Sequence, residues 1–168
     1  MFPAGKVFII SRQPDELHSP GQVYGLTVKG QAVESNKDNS KKAFLDQIKA
    51  VLSNRMPVRL ARRAALFSDV YFKRMPLAEL SSNPPVMFAS MVTEQLEFMK
   101  QRKRGELLIR VFNPEKDRDG WVSKHTIIEL INDDMPFLVA TASMSLQELN
   151  LGVHLIIHPV LHVDRAPG

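Results

Sequence analysis

The sequence has no cysteine, a single tryptophan and only eight glycines in 168 residues. The missing cysteine excludes disulfides, thiolate metal ligands and cysteine nucleophiles together, and it fits the reducing cytosol, the expected location. No stretch approaches the roughly 18 consecutive apolar residues of a membrane span. The apolar run Val7–Ile10 near the start is too short for a signal-peptide core, and no clear small-residue cleavage site follows it. Functional signatures are missing too. No G-x-G-x-x-G turn, G-x-x-x-x-G-K-[ST] loop, H-E-x-x-H pair or G-x-S-x-G elbow occurs. What remains is ordinary: 44% hydrophobic and 24% charged residues, enough for one core in one domain or a small domain with an added helical layer.

The formal net charge is +4, and its location matters. Residues 41–74 carry nine basic residues against Asp46 and Asp69, and a second run follows at Lys100–Arg104. Such clusters can be phosphate footprints, but no aromatic residue alternates with them as a stacking platform requires. The plainer reading is a solvated helix face, so nucleic-acid binding carries low weight.

Along the chain, residues 1–39 are poorly defined, with short strand candidates at Lys6–Ser11 and Gln22–Lys29 separated by turn-rich segments. Gln31–Ser40 is polar and reads as linker. Ser40 then predicts an N-cap for a helix over about 41–53, with Phe44, Ile48, Val51 and Leu52 on one face. Val58–Arg74 repeats the period through Leu60, Ala64, Phe67 and Tyr71. A third helix starts at Ser82-Asn83-Pro84-Pro85 and runs to about Gln101, burying Phe88, Val92, Leu96 and Met99. Residues 40–104 are therefore a helical region.

The period changes in 105–168. Glu106–Phe112 and Thr126–Ile131 read as strands around the polar loop 113–120. A helix over Phe137–Leu149 follows, with Leu138, Ala142, Leu146 and Leu149 available for one face. Gly152 then leads into a strand over Val153–Val163. The order is β-β-α-β. Ending right after a strand, such a unit leaves half a sheet face uncovered and reads as a cut chain.

Within this part, His154, His158 and His162 recur every four residues, but on a strand each step spans about 13 Å. One zinc ion needs its ligands at about 2 Å, so a shared metal is excluded and no metal site is expected. Arg110 and Glu129 interrupt apolar strands and would form a cross-strand ion pair if the strands pair; Glu129→Gln should then lower stability. Trp121 reads as a loop anchor packed on the core. The turn Asn132-Asp133-Asp134-Met135-Pro136-Phe137 joins a strand directly to a helix start. Its backbone N–H groups could hold an anion or an amino-acid carboxylate, while Asp133 and Asp134 could instead cap the helix or accept an α-amino group.

Ile128–Val139 resembles the first strand, turn and first helix of ACT-type small-molecule-binding domains. More specifically, Gly105–Pro114, Asp119–Thr126, Asn132–Val139, His154–Leu161 and the helical Ser40–Asp46 region resemble, in order and spacing, the N-terminal region of the large bacterial NAD-specific glutamate dehydrogenases. The resemblance covers about residues 40–164. It implies an α+β fold, a helical layer followed by an incomplete ACT-like (ferredoxin-like) β-β-α-β module. It also implies a non-catalytic regulatory or oligomerisation region, without catalytic or cofactor-binding residues of its own, whose parent enzyme deaminates glutamate oxidatively to 2-oxoglutarate with NAD. Expected partners are a second copy, the remainder of the parent enzyme and an amino-acid effector at Asn132–Phe137. Two departures stand out: Ala140-Thr141-Ala142 replaces the family's usual Asp-Ser-Val, and Ser145–Asn150 replaces its usual Glu-Leu-Asn-Arg-Arg-Gly helix end. A free-standing small-molecule-binding or adaptor module is the alternative reading.

Overall fold

A computed structural model describes residues 5–12, 31–103 and 105–161. In chain order these form β1 (Gly5–Arg12), α1 (Gln31–Arg55), α2 (Val58–Tyr71), α3 (Leu77–Ser81), α4 (Pro85–Gln101), β2 (Leu108–Phe112), α5 (Lys116–Asp119), β3 (Thr126–Asp133), α6 (Leu138–Glu148) and β4 (Ile156–Ile157). The second candidate strand at 22–29 and His162 lie outside the described residues.

The helical layer follows from its apolar spacing. Ile48 and Leu52 of α1, Ala64, Phe67 and Tyr71 of α2, and Phe88 and Val92 of α4 are all buried in one core. Aromatic edges stitch the helices together. The Phe88 ring meets Phe44 at 5.7 Å and Phe72 at 5.3 Å, both edge-on, and Phe72 meets Tyr71 in the same way at 5.0 Å. Lys41 on α1 donates to the carbonyls of Lys73 and Met75, at 2.6 and 2.7 Å, tying α1 to the turn that follows α2.

One expectation for this layer is overturned. Gln31–Ser40 is not a linker but the first ten residues of α1, so Ser40 is no N-cap. Polarity there does not mark irregular backbone. No glycine or proline occurs between Gly30 and Pro57, and Gln, Ala, Glu and Lys are good helix formers. Leu60, placed on the buried face by its spacing, is 44% exposed, whereas Gln95 and Phe98 join the buried stripe of α4.

The sheet is α+β in the split β-α-β arrangement, with strand order β2-β3-β1-β4 and every neighbouring pair antiparallel. The β-β-α-β part therefore does not stand alone. Because β3 and β4 are both antiparallel to β1, they run parallel to each other, and the crossover through α6 leaves a one-strand gap between them. Residues 5–12 fill that gap, with Ile9 opposite both Glu129 and Ile157. No local pattern announces a pairing that far apart in the chain. Among the described residues of the expected strand Val153–Val163, Ile156 and Ile157 pair as β4 and Val160 forms an isolated bridge, while Pro159 between them has no N–H to donate.

β3 alternates. Ile127, Glu129 and Ile131 are buried against the helical layer, with Ile157 and Leu161 in the same core. On β2, Leu108 and Phe112 pack against that core, while Ile109 and Val111 are 51% and 62% exposed. No residue of α6 is fully buried.

The loop expected at 113–120 contains the short helix α5, closed by Gly120 in the left-handed region at φ 75°. A Cβ there would sit 3.1 Å from Ser90 Oγ. Gly120→Ala should therefore cost about 1–2 kcal/mol in urea unfolding, through backbone strain and the crowded Ser90. A loss below a few tenths would remove both causes.

Candidate functional site

Two polar constellations occur among the described residues: one on the β3–α6 turn and one inside the core. On the turn, β3 continues to Asp133, two residues beyond its expected end. Asp133 does not serve as the helix cap. Its Oδ1 accepts from Arg102 Nη2 at 2.6 Å, and Arg102 Nε donates to the carbonyl of Glu106 at 2.7 Å. Arg102 is only 6% exposed, although the basic run around it reads as a solvated helix end. Asn132 Nδ2 lies 3.1 Å from Met135 Sδ, and Asp134 and Pro136 are exposed. Phe137 occupies the N-cap position of α6 with φ 61°, makes no side-chain cap hydrogen bond and is 81% exposed. The turn thus presents an aromatic ring and an uncapped helix start to solvent, with the Asp133 carboxylate held by Arg102.

Inside the core, Arg110 of β2 stands opposite Glu129 of β3, and its Nε donates to Glu129 Oε2. Arg110 Nη1 also lies 2.9 Å from Glu94 Oε1 on α4, and Glu94 Oε2 accepts from Trp121 Nε1 at 2.9 Å. With its amide turned to suit the network, Gln95 donates to Glu129 Oε1 at 2.6 Å. The guanidinium is stacked between Phe98 and Phe112, 4.1 and 4.5 Å from their centroids. Trp121 is 5% exposed and meets Phe112 edge-on.

Burial dominates the electrostatics. Glu129 is 2% exposed, and loss of water pushes its pKa up to about 7 even though Arg110 pulls it down; Glu94 and Asp119 add to the upward push. The buried Tyr71 phenol is raised as well, first by desolvation and then by the Glu129 charge. Sequence reasoning overlooked Glu94 and Gln95. The available signal was a polar residue, Gln95, between Met91 and Phe98 on the buried stripe of α4.

The histidines separate. His154 stacks on His125 at 4.6 Å with Nε2 3.7 Å from Glu79 Oε2, whereas His158 Nε2 lies 3.3 Å from Arg74 Nη1. Among the described residues no group of three His, Cys, Asp or Glu side chains could hold a metal ion, and no helix is long and apolar enough to cross a membrane.

The family profile of the glutamate dehydrogenase ACT1 domain matches residues 67–168, from the middle of α2 onward. The chain belongs to this family. Over 127 residues, 76% of its length, the ACT1 chain is 27% identical to the NAD-specific glutamate dehydrogenase of Pseudomonas aeruginosa. It is 28% identical over 129 residues, or 77%, to that of Halomonas elongata. It spans only 8% of the length of either relative. No solved structure matches it. Both constellations of this ACT1 chain fall inside the matched stretch, and β1, which completes their sheet, falls outside it.

The raised Glu129 pKa fixes the sign of a pH effect. Between about pH 4.5, its ordinary value, and about 7 the folded chain holds a proton that the unfolded chain has released. Stability from this group is fully present below that window and is lost as pH rises through it, by about 3 kcal/mol in total. Glu129→Gln, expected from the sequence to lower stability, should lose progressively less against wild type as pH rises from 5 to 8. Urea unfolding at several pH values checks this; a gap that does not change with pH would refute it.

Proposed function

We propose that this chain is a non-catalytic regulatory and assembly region of a cytoplasmic NAD-dependent glutamate dehydrogenase. NAD binding and the oxidative deamination of glutamate to 2-oxoglutarate belong to the remainder of that enzyme. The observation that carries this reading is the ACT1 match over residues 67–168, with relatives named as NAD-specific glutamate dehydrogenases of which the chain spans a small part.

Assembly is supported by the sheet edge. Among the described residues β2 is an outer strand, paired on one side alone. Ile109 and Val111 on it are half exposed or more, on the face away from Arg110. An apolar outer strand of this kind invites another copy or another part of the parent polypeptide. Effector binding is supported by the turn Asn132–Phe137, where the exposed Phe137 ring, Asp134 and the first N–H groups of α6 could meet the side chain, ammonium and carboxylate of an amino acid.

Two measurements test the two halves. Multi-angle light scattering over a concentration series should show self-association that Ile109→Glu together with Val111→Glu abolishes, with the far-ultraviolet circular dichroism unchanged. A monomer at all concentrations would remove contact between copies from the reading. In thermal shift with the twenty amino acids, an effector at 100 times its Kd adds about 2.7 kcal/mol. Asp134→Asn should reduce that gain, and no stabilisation by any amino acid at millimolar concentration would remove sensing.

A further inference from the structure

The α1–α2 corner, α4 and the end of α5 line a groove of about 770 Å³ that is separate from the β3–α6 turn and meets the buried ion network at Glu94. Small-molecule sites span roughly 300–1,000 Å³. Met56, Leu60, Leu96 and Met99 supply its apolar lining. This explains why Leu60 is exposed despite its core-like spacing: it faces the groove instead of the core.

The polar groups around the groove divide sharply. Its three carboxylates are engaged: Glu94 with Arg110 and Trp121, Glu97 with Lys100 at 2.5 Å, and Asp119 with Arg118 at 2.9 Å. The hydroxyls of Ser90 and Thr93 turn back onto the carbonyls of Val86 and Ala89 of α4. Two cations differ. Arg55 donates to Ser90 Oγ at 3.2 Å, and neither Arg55 nor Arg63 pairs with a carboxylate among the described residues. An apolar trough with two arginines lacking counter-ions among the described residues calls for an apolar body that carries an anion.

We propose that this groove binds an aliphatic monocarboxylate, its chain on the methionine and leucine lining and its carboxylate on Arg55 and Arg63. Methionine side chains adapt to a flexible alkyl chain at little cost, and guanidinium–carboxylate hydrogen bonds are among the stronger ones. A zwitterionic amino acid fits poorly, because its ammonium would have to compete with Arg110, Lys100 or Arg118 for a carboxylate already held. The site is thus chemically distinct from the turn on the sheet and stands independently of the regulatory reading.

The test is a calorimetric titration of the 168-residue protein with sodium decanoate below its micellar range. Fluorescence of Trp121, the only tryptophan, gives a second readout, since its indole is bonded to Glu94 at the groove wall. Saturable one-to-one binding is expected. Arg55→Gln and Arg63→Gln should each weaken it about tenfold, the loss of a charged hydrogen bond, and Arg63→Lys should recover part of that. Decanol, with the same chain and no carboxylate, should also bind at least about tenfold more weakly. Both arginines are exposed, so these variants leave the core intact. The proposal is overturned by absence of saturable binding, by many weak equivalent sites, by decanol or leucine binding as tightly as decanoate, or by affinities that neither arginine variant changes.

Discussion

The guanidinium of Arg110 is the point where the two layers meet, and the choice of strand register depends on it. The stretch Thr126–Ile131 is apolar on both of its faces: Ile127 and Ile131 on one parity, Ile128 and Leu130 on the other. Hydrophobicity alone would tolerate a slip by one residue, which turns every side chain over. With Glu129 inward, Arg110, Gln95 and Glu94 converge on one buried spot, with two phenylalanine rings around the cation. A slipped β3 would leave Arg110 and Glu94 facing hydrocarbon. A buried ion pair of this kind contributes little net stability over an apolar replacement, but removing one partner is expensive, which is how it selects one packing over another. The raised Glu129 pKa is the sign that this selection is made against the tide of desolvation.

Much of the helical layer was legible because a 3.6-residue period survives in α1, α2 and α4, with Phe44, Ile48, Phe67, Phe88 and Val92 in the anticipated places. Legibility failed where polarity was mistaken for irregular backbone, as at Gln31–Ser40, and where a groove, not solvent or core, was the neighbour, as at Leu60. In the sheet, β2 and β3 could be read from their alternating and branched residues. The order β2-β3-β1-β4 could not, since it joins Ile9 to Glu129 across 120 positions and no local propensity encodes such a pairing. At the candidate turn the residues were in view but their engagements were not: Arg102 looked like one more surface cation, and only the packed chain brings it to Asp133.

The region matched by the ACT1 family starts inside α2, after much of the helical layer has already been laid down. The ACT1 profile begins at residue 67, so it includes the edge strands β2 and β4, the central β3 and the α6 crossover, but leaves out the strand that holds them in one sheet. It likewise leaves out α1 and the first part of α2, which form one side of the aliphatic groove. The fold is therefore a larger unit than the matched domain.

The central position of β1 has a consequence for how the chain comes off the ribosome. β1 is made before both of its neighbours, so residues 5–12 have no sheet to enter until β3 has been made. The helices α1 to α4 can compact meanwhile, because their contacts are local. β3 must emerge before β1 acquires a partner, and β4, bonded to β1 alone, joins after both. A strand made before the helical layer is thus stitched to strands made after it, and β4 is held by a strand translated well ahead of it.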